Sequence, residues 1–480
     1  MECALKYENL GYRRREPEQD LLNQVLLEHL ETFLNRIETS EFALPQHVEQ
    51  ELREYVECGV LAHGFVRVRC NECGQSMAVG YSCKGRGFCP SCTGRRMADT
   101  SARLVDDVFP TGVPVRQWVL SLPINVRYRL AYDGKLLSDV LSVFLRVVRG
   151  WYRDRGREAG IKECTGGSVT FSQRFGSALN LNPHFHALLL DGVFNSKTNV
   201  FHAAPPLQDE DVKKIVETTA HRVIRLLRRR GVLDEDAFDD FADDEPLLAG
   251  MTSASIMGLV STGDRAGRRV RRVLSDQAEA VRTGPLCFAS SGFSLHAATR
   301  IAGGNKVGLE RLCNYVSRPP LAQGSLQKIS EDEYAFKLKT SWSDGTSHLI
   351  LSPTELIEKL AALVPPPRVN LVRYHGILAP NAKGRAAVVP KKPDDNELRK
   401  TRGLSKNRLL WAALLKRTFG LDLETCPHCG GRMRIVAAIT DRLSIKRYLD
   451  GVGLSSEIPE IRPARPPPQL DFEYDDCTDC

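Results

Sequence analysis

The sequence predicts an α+β protein: an antiparallel sheet with flanking helices, a small cysteine-rich module before it and a basic extension behind it. Three observations carry that expectation. Residues 109–330 alternate strand-like runs with stretches of helical periodicity. Residues 59–96 break into short pieces rich in glycine and cysteine. At 480 residues the chain exceeds what one ordinary core holds, so several domains are expected.

The elements follow in order. Leu21, Leu22, Val25, Leu26 and Leu30, then Phe33, Leu34 and Ile37, recur at helical spacing within residues 19–57. A helix is expected from about 95 to 108, and a strand over 115–122 around Trp118, Val119 and Leu120, ended by Pro123. Leu137, Val140, Leu141, Phe144, Leu145 and Val148 make one apolar helical stripe over 136–152. Strands follow at 168–175 and 185–194, then a helix at 208–230. One strand is expected across 286–301, with alternation at Phe288, Phe293 and Leu295, and a helix over 306–318. Residues 334–351 read as a hairpin turning at Asp344-Gly345, and 354–363 as a helix ended by Pro365, Pro366 and Pro367. Residues 382–408 have the basic, polar composition of a linker, and the proline-rich stretch 463–468 is expected to be poorly ordered.

Hydrophobic residues make up 42% of the chain and charged residues 26%, the balance of an ordinary globular protein. The formal charge of +7 comes from 66 basic against 59 acidic residues, a mild excess compatible with a nucleic-acid partner and not diagnostic of one. Its distribution is local. Arg225, Arg228, Arg229 and Arg230 form one cluster, and Arg265, Arg268, Arg269, Arg271 and Arg272 another. Each is either a solvated face or a phosphate contact. The charged N-terminus lacks the apolar stretch of a signal peptide, and nothing approaches the roughly 20 apolar residues of a membrane helix. A cytoplasmic protein is therefore expected, in which cysteines serve as metal ligands rather than disulfides.

Of 14 cysteines, eight fall in four Cys-x-x-Cys pairs. Cys70, Cys73, Cys89 and Cys92 have the spacing of two zinc knuckles that close a tetrahedral four-cysteine site. Four protein ligands leave no open position, so such a zinc is structural. Cys58, His63 and Cys83 lie close by and could form a second zinc site or replace a ligand. Near the C-terminus Cys426 and Cys429 form another knuckle, which Cys477 and Cys480 could complete unless that terminal pair is disordered.

Asn182-Pro183-His184-Phe185-His186 precedes an apolar run. Residues two apart in a strand share a face, so His184 and His186 can converge on one divalent cation while Phe185 anchors the strand. A third ligand is expected from a neighbouring element, Gln173 on the preceding strand being the candidate. Tyr315 stands at the polar edge of a helical stripe made by Leu309, Leu312, Cys313 and Val316, on the side of Arg311 and Arg318. It is either a nucleophile whose ionised form those cations favour or a tyrosine that caps the core with its hydroxyl in water. Together with the cysteines, the pair and the tyrosine point to metal-assisted cleavage of nucleic acid.

Taken in order, four segments carry a resemblance. They are Cys70 to Cys92 with Ser82-Cys83-Lys84-Gly85-Arg86-Gly87, Asn182-Pro183-His184-Phe185-His186, Tyr315-Val316-Ser317-Arg318-Pro319-Pro320, and Tyr374-His375-Gly376-Ile377-Leu378-Ala379-Pro380. This text resembles the HUH single-strand nucleases, and more narrowly the rolling-circle transposases of the insertion-sequence ninety-one family and its common-region relatives, over about residues 50–380. The resemblance implies a helical segment with a transposase zinc-binding domain over 1–108 and a central HUH endonuclease domain over 109–330. An α/β extension over 331–381, the linker 382–408 and a C-terminal region over 409–480 complete the expected layout.

It further implies that His184 and His186 hold Mg²⁺ or Mn²⁺, and that Tyr315 attacks the scissile phosphate to form a 5′-phosphotyrosine. The implied partner is DNA, above all the single-stranded ends of the chain's own element, in a nucleoid-associated bacterial setting. Founding members of the family carry two tyrosines four apart, whereas positions 311 and 319 here are Arg and Pro. The chain thus resembles the single-tyrosine branch. A rolling-circle replication initiator or relaxase shares the same chemistry. A non-catalytic zinc-dependent DNA-binding protein with structural histidines is the rival from another class.

Overall fold

The computed structural model describes residues 15–38, 43–233, 239–274, 284–322, 324–342, 344–390 and 425–465. Helices α1 (Leu21–Glu38) and α2 (Gln46–Glu57) precede the hairpin β1 (Phe65–Cys70) and β2 (Ser76–Gly80). Helix α3 (Pro90–Arg103) runs into a π-helical turn at Leu104–Val108. Then come β3 (Val115–Ser121), α4 (Ile124–Tyr132) and the long α5 (Gly134–Glu158), which Asp133 caps by accepting from the Lys135 and Leu136 amides. Strands β4 (Cys164–Thr165), β5 (Gly167–Phe175), β6 (Leu181–Leu190), β7 (Gly192–Asn195) and β8 (Phe201–Ala203) lead to α6 (Asp209–Arg229), α7 (Asp240–Asp244) and α8 (Pro246–Met257). Next are β9 (Arg271–Leu274), β10 (Cys287–Ser290), β11 (Phe293–His296), β12 (Arg300–Ile301) and α9 (Lys306–Val316). The described chain ends with β13 (Leu326–Lys328), β14 (Tyr334–Lys337), β15 (Thr346–Leu351), α10 (Pro353–Leu363), β16 (Val372–Gly376), α11 (Arg385–Val388), β17 (Met433–Ile439) and α12 (Arg442–Gly451).

The strands form antiparallel sheets. The largest has the order β10-β11-β3-β6-β5-β16, with β12 also on β3. Smaller sheets have the orders β17-β1-β2, β13-β14-β15-β9 and β4-β7-β8. Alternation along β3 and β6 divides the large sheet into two faces. One presents Trp118, Phe185, Leu189, Phe293 and Leu295 to the apolar stripes of α5 and α6. The other packs Val169, Phe171, Leu188 and Leu190 against the π-helical turn and against Leu312, Cys313 and Val316 of α9. A third core joins α1, α2, α8, α10 and the β13–β15 strands. Helix α10 is buried almost end to end, and its two first-half glutamates are matched there: Glu355 pairs with Arg265 at 2.6 Å, while Glu358 accepts from the Ser261 and Thr262 amides.

Several expectations need correction. The region 286–301 is a tight hairpin and a short return strand rather than one strand. Ser291 and Gly292 both have positive φ (51° and 77°), the signature of a two-residue turn that reverses the chain. Helices α4 and α8 and strand β16 were not anticipated; α8 is apolar all round and has no stripe to read. Of the second arginine cluster, Arg265, Arg271 and Arg272 are held by Glu355, Glu333 and Asp344, which makes that run largely structural. The C-terminal segment returns to the cysteine module, since β17 pairs with β1 from Phe65↔Ile439 to Cys70↔Met433. Arg465 lies against α1, where its amide donates to Thr32. Residues 391–424, most of the expected linker among them, lie outside the described residues.

Candidate active site and cysteine clusters

The eight cysteines near β1 and β17 gather into two groups of four, and the grouping differs from the one the spacing suggests. Cys58, Cys83, Cys89 and Cys92 form one cluster; Cys70, Cys73, Cys426 and Cys429 form the other. The four-cysteine site of Cys70, Cys73, Cys89 and Cys92 is therefore not assembled. The reason is topological. Cys70 and Cys73 sit on the β1–β2 turn beside the incoming β17, whereas Cys89 caps α3 with its Sγ accepting from the Cys92 amide. Cys58 ends α2 and Cys83 follows β2, so these two complete the pair at the start of α3. His63, in the turn before β1, belongs to neither cluster. Cys477 and Cys480, proposed partners of Cys426 and Cys429, lie outside the described residues.

The shortest Sγ–Sγ separation is 3.5 Å in each cluster, and within each all four sulfurs lie within 4.8 Å of one another. Four thiolates about 2.3 Å from a tetrahedral zinc stand about 3.8 Å apart, so both sets fit a structural zinc. In the first, Cys58, Cys89 and Cys92 are buried and Cys83 half-buried, and Arg15 donates to the Cys58 sulfur at 3.2 Å, offsetting part of the thiolate charge. In the second, Cys73 and Cys429 are exposed.

The histidines lie on β6, in the middle of the large sheet. His184 is paired with Ser121 and Gln173, and His186 with Val119 and Phe171, so both side chains share the face that carries α9. Their Nε2 atoms are 3.0 Å apart, and Gln173 Oε1 is 3.2 Å from His186 Nε2. The structure thus brings the two expected imidazoles and the expected amide to one point. The Nδ1–H of His184 donates to the Asn182 carbonyl at 2.7 Å, which leaves its Nε2 lone pair free to ligate. Burial holds both imidazoles below their usual pKa, aided for His186 by His184 and Arg318, down to about 3. Neutral rings beside an amide oxygen suit a divalent cation that also binds oxygen ligands.

A solvent-open cleft of about 320 Å³ surrounds this point, lined also by Asn182, His296, Tyr315 and Arg318. Tyr315 is 42% exposed, and its ring stands edge-on to His186 with centroids 5.9 Å apart. Two cations flank the ring: the Arg318 guanidinium at 5.0 Å and Lys339 Nζ, from just beyond β14, at 4.8 Å. Arg318 is as expected. Arg311 is not the second cation; it lies exposed one turn earlier on α9, outside the cleft lining.

Sequence reasoning missed three residues here. Gln117 on β3 reaches His186 Nδ1 at 2.8 Å. If His186 ligates through Nε2, its Nδ1 carries the proton and the Gln117 amide turns its oxygen toward it, fixing the ring. The signal was present, as a glutamine directly before the apolar run Trp118-Val119-Leu120. His296, opposite Val119 on β11, and Lys339 come from elements whose pairing only the fold defines.

Residues 167–386 match the family described as "Putative transposase", and residues 25–122 match the IS91-type "Transposase zinc-binding domain". The first span contains Gln173, His184, His186 and Tyr315; the second contains the six cysteines from Cys58 to Cys92. No curated protein and no solved structure matches the chain.

Proposed function

Because the chain belongs to the IS91 family of transposases, we propose that it mobilises DNA by cutting and rejoining single strands through Tyr315. One observation carries this reading: an exposed tyrosine, flanked by two cations, opens onto the same cleft as three converging ligand atoms. His184, His186 and Gln173 would hold Mg²⁺ or Mn²⁺, and a cation so placed would neutralise charge on the scissile phosphate.

The protein's own groups do the rest. Tyr315 Oη forms a bond to phosphorus as the bond to the 3′ oxygen breaks. The phenolic proton is lost, and a proton is gained by the departing 3′ hydroxyl. The product is a 5′-phosphotyrosine, which a later 3′ hydroxyl can attack to reseal the strand. Arg318 and Lys339, beside the tyrosine ring, attract the DNA backbone. The HUH pair of β6 and a single tyrosine are enough for the first cut. The cleft's openness favours a single strand, whose phosphate and flanking bases are both within reach.

Incubation with single-stranded oligonucleotides from the element's ends and Mg²⁺ or Mn²⁺ is expected to give a covalent protein–DNA adduct. Tyr315→Phe is expected to abolish it. An adduct formed by the phenylalanine variant removes Tyr315 from the role.

A further inference from the structure

The face of β5 turned away from the cleft holds a polar cluster that the cleavage reading leaves unused. Ser168, Thr170 and Ser172 occupy alternate positions there, at 0%, 0% and 6% exposure, and none of their hydroxyls has a partner. Strand β16, the sheet's edge, sets His375 opposite Ser168 and Arg373 opposite Thr170. Directly paired residues point to the same face about 5 Å apart, so these side chains meet the hydroxyls. Arg149 arrives from α5, its Nη2 3.0 Å from where a β-carbon on Gly376 would stand; that position takes glycine because its φ is +63° and the Gly166 carbonyl oxygen would lie 2.0 Å from such a carbon. Arg149 Nε and His375 Nε2 are also buried without partners. Arg373 donates to Ser138 Oγ at 2.6 Å and to the Asn370 carbonyl at 3.2 Å.

The electrostatics are one-sided. Burial and then Arg153 lower the pKa of Arg149, and burial lowers that of Arg373. His375 is pushed down to about 4 by burial, then by Arg149 and Arg373. Among the described residues, no carboxylate appears among the charges acting on these three. Convergent donors and hydroxyls without an acid are complementary to an anion that offers several oxygens. Arg149, Arg373 and His375 are part-exposed where the sheet ends at β16, with the Ser168 and Thr170 hydroxyls buried behind them. Ser168 and Gln173 lie five residues apart on opposite faces of β5, next to the edge strand β16. A strand leaving the cleft would reach this cluster by passing round the β16 edge.

We propose that Arg149, Arg373 and His375, backed by the Ser168 and Thr170 hydroxyls, form a phosphate site that holds the DNA backbone beyond the cleavage cleft. The inference rests on the proposed action on single-stranded DNA. It gives a role to the Tyr374-His375-Gly376 segment that the cleft does not use.

The test is binding of a labelled single-stranded 20-mer to the full chain by fluorescence anisotropy, from about 50 to 200 mM salt. One lost phosphate contact shrinks the slope of log K against log salt by about 0.7, a roughly fivefold loss at about 0.1 M salt. The pair Arg149→Gln and Arg373→Gln is expected to show that loss at an unchanged melting temperature. Arg149→Lys with Arg373→Lys, which keeps the charge, is expected to retain the wild-type slope. Where the glutamine pair melts early, Arg149→Gln alone is read, with the same decrease in slope expected. Wild-type affinity and slope in a folded glutamine variant would overturn the inference alone. Wild-type protein that binds no single strand overturns the cleavage reading as well. Stabilisation by inorganic phosphate at matched ionic strength, with an unchanged oligonucleotide slope in the variant, assigns the site to a free phosphate and overturns the DNA role.

Discussion

The two cysteine clusters each gather four thiols, in opposite settings. The cluster of Cys58, Cys83, Cys89 and Cys92 is closed by a short stretch of chain, 34 residues between Cys58 and Cys92, and sits among Leu52, Tyr55, Phe88 and α10. The cluster of Cys70, Cys73, Cys426 and Cys429 joins segments 359 residues apart and leaves two thiols exposed. A metal in the first would be part of a core; a metal in the second would be a clasp on a small ribbon. Identical ligand sets can therefore have very different weight in the stability of the whole, because burial and chain separation decide what falls apart with them.

The largest effect is expected from Cys89→Ser. It should remove one of two bound zinc ions and cost more than about 4 kcal/mol in global unfolding, since α2, α3 and α10 lose a shared anchor. Cys429→Ser should also remove one zinc, yet shift the main unfolding transition by less than about 2 kcal/mol. Limited proteolysis should then release the segment carrying β17 and α12. Equal losses of stability in the two variants would break the contrast. The smallest effect belongs to Arg15→Ala, about 1–2 kcal/mol with full zinc content, because it removes the charged donor to the Cys58 sulfur and carbonyl and the pairing with Asp20, but no metal ligand. Zinc loss in that variant, measured by atomic emission, would show that the arginine is needed to hold the metal rather than to balance its charge.

What the sequence reveals follows the same distinction between local and distant. The stripes of α1 and α5, the paired histidines of β6 and the position of Tyr315 on α9 depend on spacings of two to four residues, so period and motif expose them. Gln173 could be proposed because consecutive antiparallel strands tend to pair. The cysteine partners could not, because Cys58 and Cys426 are brought in by helix α2 and strand β17, whose docking no local spacing encodes. Lys339 in place of Arg311 is a similar case. The helical wheel puts Arg311 on the tyrosine's side, but the fold brings a cation from another sheet closer. Strand β16 escaped notice because Arg373 and His375 interrupt any apolar pattern, and its pairing with β5 is a tertiary preference.

The wide separation of Cys70 from Cys429 also has a consequence for synthesis. At about 5–20 residues per second, the ribosome needs roughly 20–70 s after making the first pair of ligands to make the second. Through that interval the nascent chain would display half of a metal site to whatever ions and oxidants surround it, while the Cys58 cluster can close within seconds of emerging. Metal supply during translation, rather than afterwards, would then decide whether β17 finds its place on β1.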